Sequence, residues 1–232
     1  PLRVLMHVPH AELDTLLAAG VTSGTGDDRF RVGALKLFAD GTLGSRTAAV
    51  LEPYDGGHEC GMDLIEPAEL RAIAARAIAG GLSVAVHAIG DRAVRSSLDA
   101  FEAVPAARRA RLALAPRIEH AQIVHPDDVP RFAALGVAAS MQPSHCVSDI
   151  PLVLERWSTR AEHAYPWRAL LEAGACLAFG SDAPVEPPSA ALGLFCALAR
   201  RRPGQPEASA LSPRQRVTLD AALRSYTIEP SR

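Results

Sequence analysis

The sequence predicts an α/β fold on a parallel sheet, of the (β/α)8 TIM-barrel type but incomplete, with about six of the eight strands present. Three observations predict it. Short apolar runs alternate with helical stretches along the whole chain, as where Val84-Ala85-Val86-His87-Ala88 gives way to Arg92–Ala103. The runs are almost continuously apolar, the pattern of strands covered on both faces. Four of them deliver one ionisable residue each, Lys36, His87, His120 and Asp182, toward what would be a common sheet end. In a barrel of this type, that end holds the chemistry.

Leu2–Val8 reads as a buried strand, and Ala11–Ala19, closed by Gly20, as a helix. Thr22–Arg31 is a polar loop. The strand Val32–Ala39 carries Lys36, and Asp40–Thr47 after it is rich in turn residues. Residues 52–66, with Pro53, Gly56, Gly57 and Gly61, are too long and irregular for a simple connection, so the stretch is expected either to carry function or to be disordered. Pro67–Gly80 has proline at its start, helical apolar spacing and glycine at its end.

The His87 strand and the helix Arg92–Ala103 form the next unit. Ala113–His120 reads as a strand, Pro126–Leu135 as a helix, and Gly136–Met141 as a strand running into Gln142-Pro143-Ser144-His145. Residues 146–166 are mixed. Trp167–Ala173 is a short helix before Gly174, and Cys176–Asp182 is the last strand. A proline-stiffened loop, Ala183–Pro188, leads to helices near 189–201 and 212–225.

With 232 residues, 48% of them hydrophobic, the chain can bury a core and reads as one domain, 1–232. A net charge of −2 gives no electrostatic reason to expect nucleic acid or an anionic membrane. No apolar run reaches the roughly 18 residues of a membrane span. Cys60, Cys146, Cys176 and Cys196 are widely spaced without a CxxC pair, which predicts reduced thiols and a cytoplasmic protein. The chain opens at Pro1 directly in strand-like sequence, so a segment of a longer protein is expected.

His87 and His120 stand one strand-helix-strand step apart, which puts them on adjacent strands, where two imidazoles can share one divalent metal. Lys36, flanked by Ala34, Leu35, Leu37 and Phe38, would be costly as an unpaired buried ammonium. Pointing into a polar cavity, it could lose its proton and take up CO2 to become an anionic ligand. Asp182 at a strand end is placed to accept a proton from metal-bound water. The plain alternative for Asp182 is a turn or helix cap. Asp40, Arg46 and Asp91 follow the same strand ends and either shape a pocket or close turns; His145 is a further candidate for substrate contact. His7, His10, His58, His125 and His163 show no partner pattern. There is no GxSxG, GxxxxGK[ST] or HExxH, so serine-hydrolase, phosphate-loop and zincin chemistry lose their support.

Five blocks carry a resemblance. VGALKLFADGTLGSRTA from Val32, HAIGDRAV from His87, RIEHAQ from Arg117, SMQPSH from Ser140 and GSDAPVEP from Gly180 together resemble the YtcJ-like branch, family 3, of the metal-dependent amidohydrolases. The resemblance implies a (β/α)8 barrel with one or two divalent metal ions, zinc first and iron or manganese next. It implies Lys36 as a carboxylated bridging ligand, His87 and His120 as ligands of the second metal, and Asp182 as ligand and general base. The implied activity is hydrolysis of a carbon–nitrogen bond in a non-peptide amide-type small molecule, with a metal-activated hydroxide as nucleophile. The family's HxH pair is absent, and His7 and His10 do not fit it. The chain is therefore expected to be the C-terminal three quarters of the barrel. Two other readings stay open: a catalytically silent barrel fragment that binds a ligand or forms a homo-oligomer through an exposed sheet edge, and deamination or isomerisation of a cyclic substrate on the same core.

Overall fold

Six strands form one parallel sheet in sequence order, in a computed structural model that describes residues 2–231. They are β1 (Val4–Pro9), β2 (Phe30–Phe38), β3 (Val84–Ala88), β4 (Arg117–His120), β5 (Ala138–Met141) and β6 (Leu177–Phe179). Every neighbouring pair is parallel, and β1 does not pair with β6. The sheet is an open, incomplete barrel.

The helices between strands are α1 (Leu13–Ala18), α2 (Pro67–Ala79), α3 (Asp91–Glu102), α4 (Ala106–Arg109), α5 (Val129–Leu135), α6 (Pro143–Ser148), α7 (Ile150–Arg156) and α8 (Trp167–Glu172), with α9 (Ala190–Ala199) and α10 (Leu219–Thr227) after the last strand. Alternation along each strand divides the side chains. Leu35, Leu37, Val84, Val86 and Ile118 are buried in the core with Leu70, Ala74, Leu98 and Phe101 of α2 and α3. Lys36 and His87 take the alternate positions on β2 and β3 and line a cavity.

Several boundaries differ from the sequence reading. β1, expected to be buried over Leu2–Val8, runs Val4–Pro9 and is exposed or half-buried along its length because it is an edge strand. β2 starts at Phe30, and β6 stops at Phe179, short of Asp182. β4 begins at Arg117 rather than Ala113, because Pro116 has no N–H to give a ladder, although its carbonyl accepts from Ala138 N–H. The mixed stretch 146–166 is ordered into the end of α6, all of α7 and a 3₁₀ segment, Ser158–His163. The last helix starts at Leu219, where the Thr218 hydroxyl caps it by accepting from Ala221 N–H; residues 213–215 form a separate 3₁₀ turn.

Arg200 ties the C-terminal segment to the rest. It is fully buried, stacks over Trp167 at 4.4 Å, and donates to the carbonyls of Leu211, Tyr165 and Ala164 at 2.6, 3.0 and 3.1 Å. The guanidinium is thus satisfied without a carboxylate, as a buried cation must be to persist.

Candidate active site

The ends of β2, β3, β4 and β6, with α6 and the loop after β6, surround a cavity of about 520 Å³. Lys36, His87, His120, His145 and Asp182 all line it. Two of these residues arrive by strained backbone. His120 has φ 73° and Asp182 φ 57°, both in the left-handed region. Continued alternation after Ile118 would send His120 to the helix side. The left-handed turn instead brings its ring to 4.7 Å from that of His87 and 5.9 Å from that of His145. Such conformations cost on the order of 1–3 kcal/mol each and collect at functional sites.

Ligand atoms of His120, His145 and Asp182 lie within 4.8 Å of one another, an arrangement that can hold a metal ion. His145 Nε2 is 3.8 Å from Asp182 Oδ2, is buried, and has no hydrogen-bond partner among the described residues. A buried imidazole nitrogen left without a partner is an unexplained cost unless a ligand occupies it.

Hydrogen bonds fix the two other imidazoles in complementary tautomers. His87 Nε2 lies 3.0 Å from the Gly41 carbonyl, which can only accept, so Nε2 carries the proton and Nδ1 the lone pair. His120 Nδ1 lies 2.9 Å from Gln142 Oε1, whose amide nitrogen faces the Ser140 carbonyl; Nδ1 is therefore the donor and Nε2 holds the free lone pair. Burial pushes both pKa values down to about 4, so each ring is neutral near pH 7, the form that binds metals. A divalent cation therefore fits the donor set.

Lys36 is held below its ordinary pKa first by burial, opposed by the Glu119 carboxylate. Its Nζ sits 4.9 Å above the Phe38 ring. Glu119 is in turn paired with Arg117, so the lysine has no salt bridge of its own among the described residues.

Asp40, Arg46 and Asp91 do not line the cavity. Asp40 is buried beneath it, where Oδ1 accepts from Ile89 N–H at 3.0 Å and Oδ2 from Ala49 and Gly90 N–H at 2.8 Å each. It fastens the loop after β2 to the turn after β3, although burial lifts its pKa to about 7. Gly90 makes this approach possible, since a Cβ there would fall 1.9 Å from the Ala49 carbonyl oxygen. Asp91 Oδ1 accepts from Leu51 N–H at 2.8 Å, and Arg46 lies outside, 3.7 Å from Glu155. Gln142 and Glu186 lie in the SMQPSH and GSDAPVEP blocks, and Ser148 and Asp149 in the mixed stretch after β5, yet nothing in the sequence singles out any of the four as a site residue.

No helix among the described residues is long and apolar enough to cross a membrane. The model of the amidohydrolase family matches residues 1–232. The chain is 34% identical over 197 residues to the Bacillus subtilis (strain 168) protein YtcJ, covering 84% of this chain and 36% of that one. It is 34% identical over 206 residues to the N-substituted formamide deformylase of Arthrobacter pascens, covering 87% and 36%. The chain thus spans about a third of the length of the curated relatives it matches. Among solved structures, a metal-dependent hydrolase from Pyrococcus furiosus superposes with a TM-score of 0.83 at 34% identity, over 99% of this chain and 45% of that one.

Proposed function

This chain belongs to the amidohydrolase family, and on that premise we propose that it supplies the metal- and substrate-binding part of a hydrolase that cleaves a carbon–nitrogen bond in a non-peptide amide. One observation carries the reading: His120, His145 and Asp182 converge at the strand ends beside His87 and Lys36, in one cavity. His120 and His145 through Nε2, His87 through Nδ1 and the Asp182 carboxylate would hold one or two divalent ions, zinc before iron or manganese. Such an ion lowers the pKa of bound water toward 7 and polarises a carbonyl oxygen.

The chain's own residues do the rest. Asp182 accepts the proton of the attacking water and returns it to the departing nitrogen, so that amide plus water gives carboxylic acid and amine. Gln142 and the Gly41 carbonyl keep His120 and His87 in their ligand tautomers. Lys36, with its depressed pKa, reacts as the free amine with CO2 to give a carbamate and one proton, adding a carboxylate ligand. Cys60, Cys146 and Cys196, free thiols in the structure, accord with a cytoplasmic setting, and Val4, Leu5 and Met6, exposed on edge strand β1, accord with self-association.

The test is amine release from a panel of N-substituted formamides and other amides by the zinc-loaded protein. Turnover that falls at least about 100-fold in Asp182→Asn supports the assignment. A metal-loaded protein that neither hydrolyses nor binds any of them refutes the reading; one that binds them without turnover is a silent binding domain.

A further inference from the structure

The cavity wall changes character from the sheet side to the helix side. The strand ends contribute Lys36 and the imidazoles. Across from them, α6, α7 and the loops after β2 and β6 contribute Leu43, Leu152 and Val185 together with two carboxylates, Asp149 and Glu186. Both carboxylates are held by neutral donors. Asp149 Oδ2 accepts the Tyr165 hydroxyl at 2.7 Å, and Glu186 Oε1 accepts the Ser148 hydroxyl at 2.6 Å. These bonds orient the groups without a cation to cancel a charge on them; burial lifts the Asp149 carboxyl above its ordinary range, and the Tyr165 hydroxyl opposes that.

No cation answers them from the wall. Lys36, on the sheet side, is the one lysine or arginine lining the cavity among the described residues. Arg156, on α7, spends its Nη1 on the carbonyls of Leu43 and Gly44 at 2.5 and 2.8 Å. Arg46 faces Glu155 outside. The unpartnered Nε2 of His145, more than nine-tenths buried, points independently to a ligand in this space.

We propose that this wall selects the substrate by charge: the site takes amides whose substituent is a hydrocarbon group, neutral or bearing an ammonium, and turns away those bearing a carboxylate or phosphate there. Apolar lining rewards the hydrocarbon by burial. Fixed carboxylates in a partly desolvated wall favour an ammonium and repel a second anion, so discrimination comes as much from the repulsion as from the attraction. That the bound molecule is an amide rests on the hydrolase reading above; the charge preference itself does not.

The experiment reads binding without turnover. Benzylamine, benzyl alcohol and phenylacetate share one ring and differ in charge, and each is titrated by calorimetry into the metal-free full chain at pH 7. Benzylamine is expected to bind at least about fivefold more tightly than phenylacetate, the size of one or two solvent-accessible charge contacts. Glu186→Gln and Asp149→Asn should each shrink that ratio, whereas Ser148→Ala, which keeps the charges, should preserve it. If Asp149→Asn does not fold, Glu186→Gln alone decides. Phenylacetate binding as tightly as benzylamine, a ratio unmoved by the carboxylate variants, or no binding of any of the three rings would overturn the proposal. A cation preference in a protein without amidase activity would instead refute the reaction and leave the selectivity standing.

Discussion

His145 Nε2 stands 3.8 Å from Asp182 Oδ2, joining the helix after β5 to the loop after β6. His120 joins the pair from β4. Three sheet ends are therefore linked through atoms that have no protein reason to be left so close and so poorly satisfied.

A ligand role and a substrate-contact role for His145 separate on one variant. His145→Gln is expected to lose bound metal, with affinity lower by at least about tenfold in a chelator competition, while His58→Ala, exposed and remote, keeps it. A variant that holds metal normally but shows a raised KM would make His145 a substrate contact.

Gln142 acts through His120. Replacing it with leucine removes the oxygen that holds Nδ1–H, frees the ring to turn, and should weaken metal affinity about 10–100-fold with little change in fold. Gln142→Glu keeps an acceptor and should recover most of the loss. Equal affinities in all three proteins would show that the tautomer is set elsewhere.

Asp40 is expected to matter for stability first. In Asp40→Asn an amide NH2 must face at least one of the three N–H groups that the carboxylate now accepts, leaving a buried donor unpaired. A loss of about 1–3 kcal/mol in urea unfolding is predicted. An unchanged midpoint would mean the loop after β2 is pinned by other contacts.

The neutral histidines make a signed pH prediction for the metal-free protein. His120 has a folded pKa of about 4 against an ordinary value of 6.5. Between those values the unfolded chain binds more protons, so its contribution to stability is lost as pH falls from 6.5 to 4 and is flat below. His120→Gln removes that titration. Its Tm should therefore gain on the wild type steadily across this window. A constant Tm difference from pH 7 to 4 would contradict the buried neutral ring.

Much of the fold was legible because its strands are apolar runs closed by glycine or a turn. Lys36 and His87 were readable for the same reason: alternation along β2 and β3 keeps Leu35, Leu37, Val84 and Val86 against helices and leaves these two for the cavity. His120 reaches the site by a route that alternation does not describe, since its left-handed backbone reverses the side the pattern assigns. Asp40 looked like a pocket residue from its place after a strand, but its oxygens serve three backbone N–H groups that come from distant positions. Helices α6 and α7 were hidden because each is short and begins with proline near its N-terminus, giving too few turns for a helical period to show. Glu186, though inside the GSDAPVEP block, and Asp149 are not marked by the sequence as a pair, because they meet only where the end of α6 and the loop after β6 face one cavity.

The most direct measurement is the metal content of the full chain by elemental analysis, after exposure to zinc and manganese and removal of free ions. The account predicts about one or two equivalents per chain in the wild type, and a fall to background when His120, His145 and Asp182 are replaced together by alanine in a protein that still folds. A wild-type protein that stays below about one tenth of an equivalent, or a triple variant that keeps its metal, would contradict it.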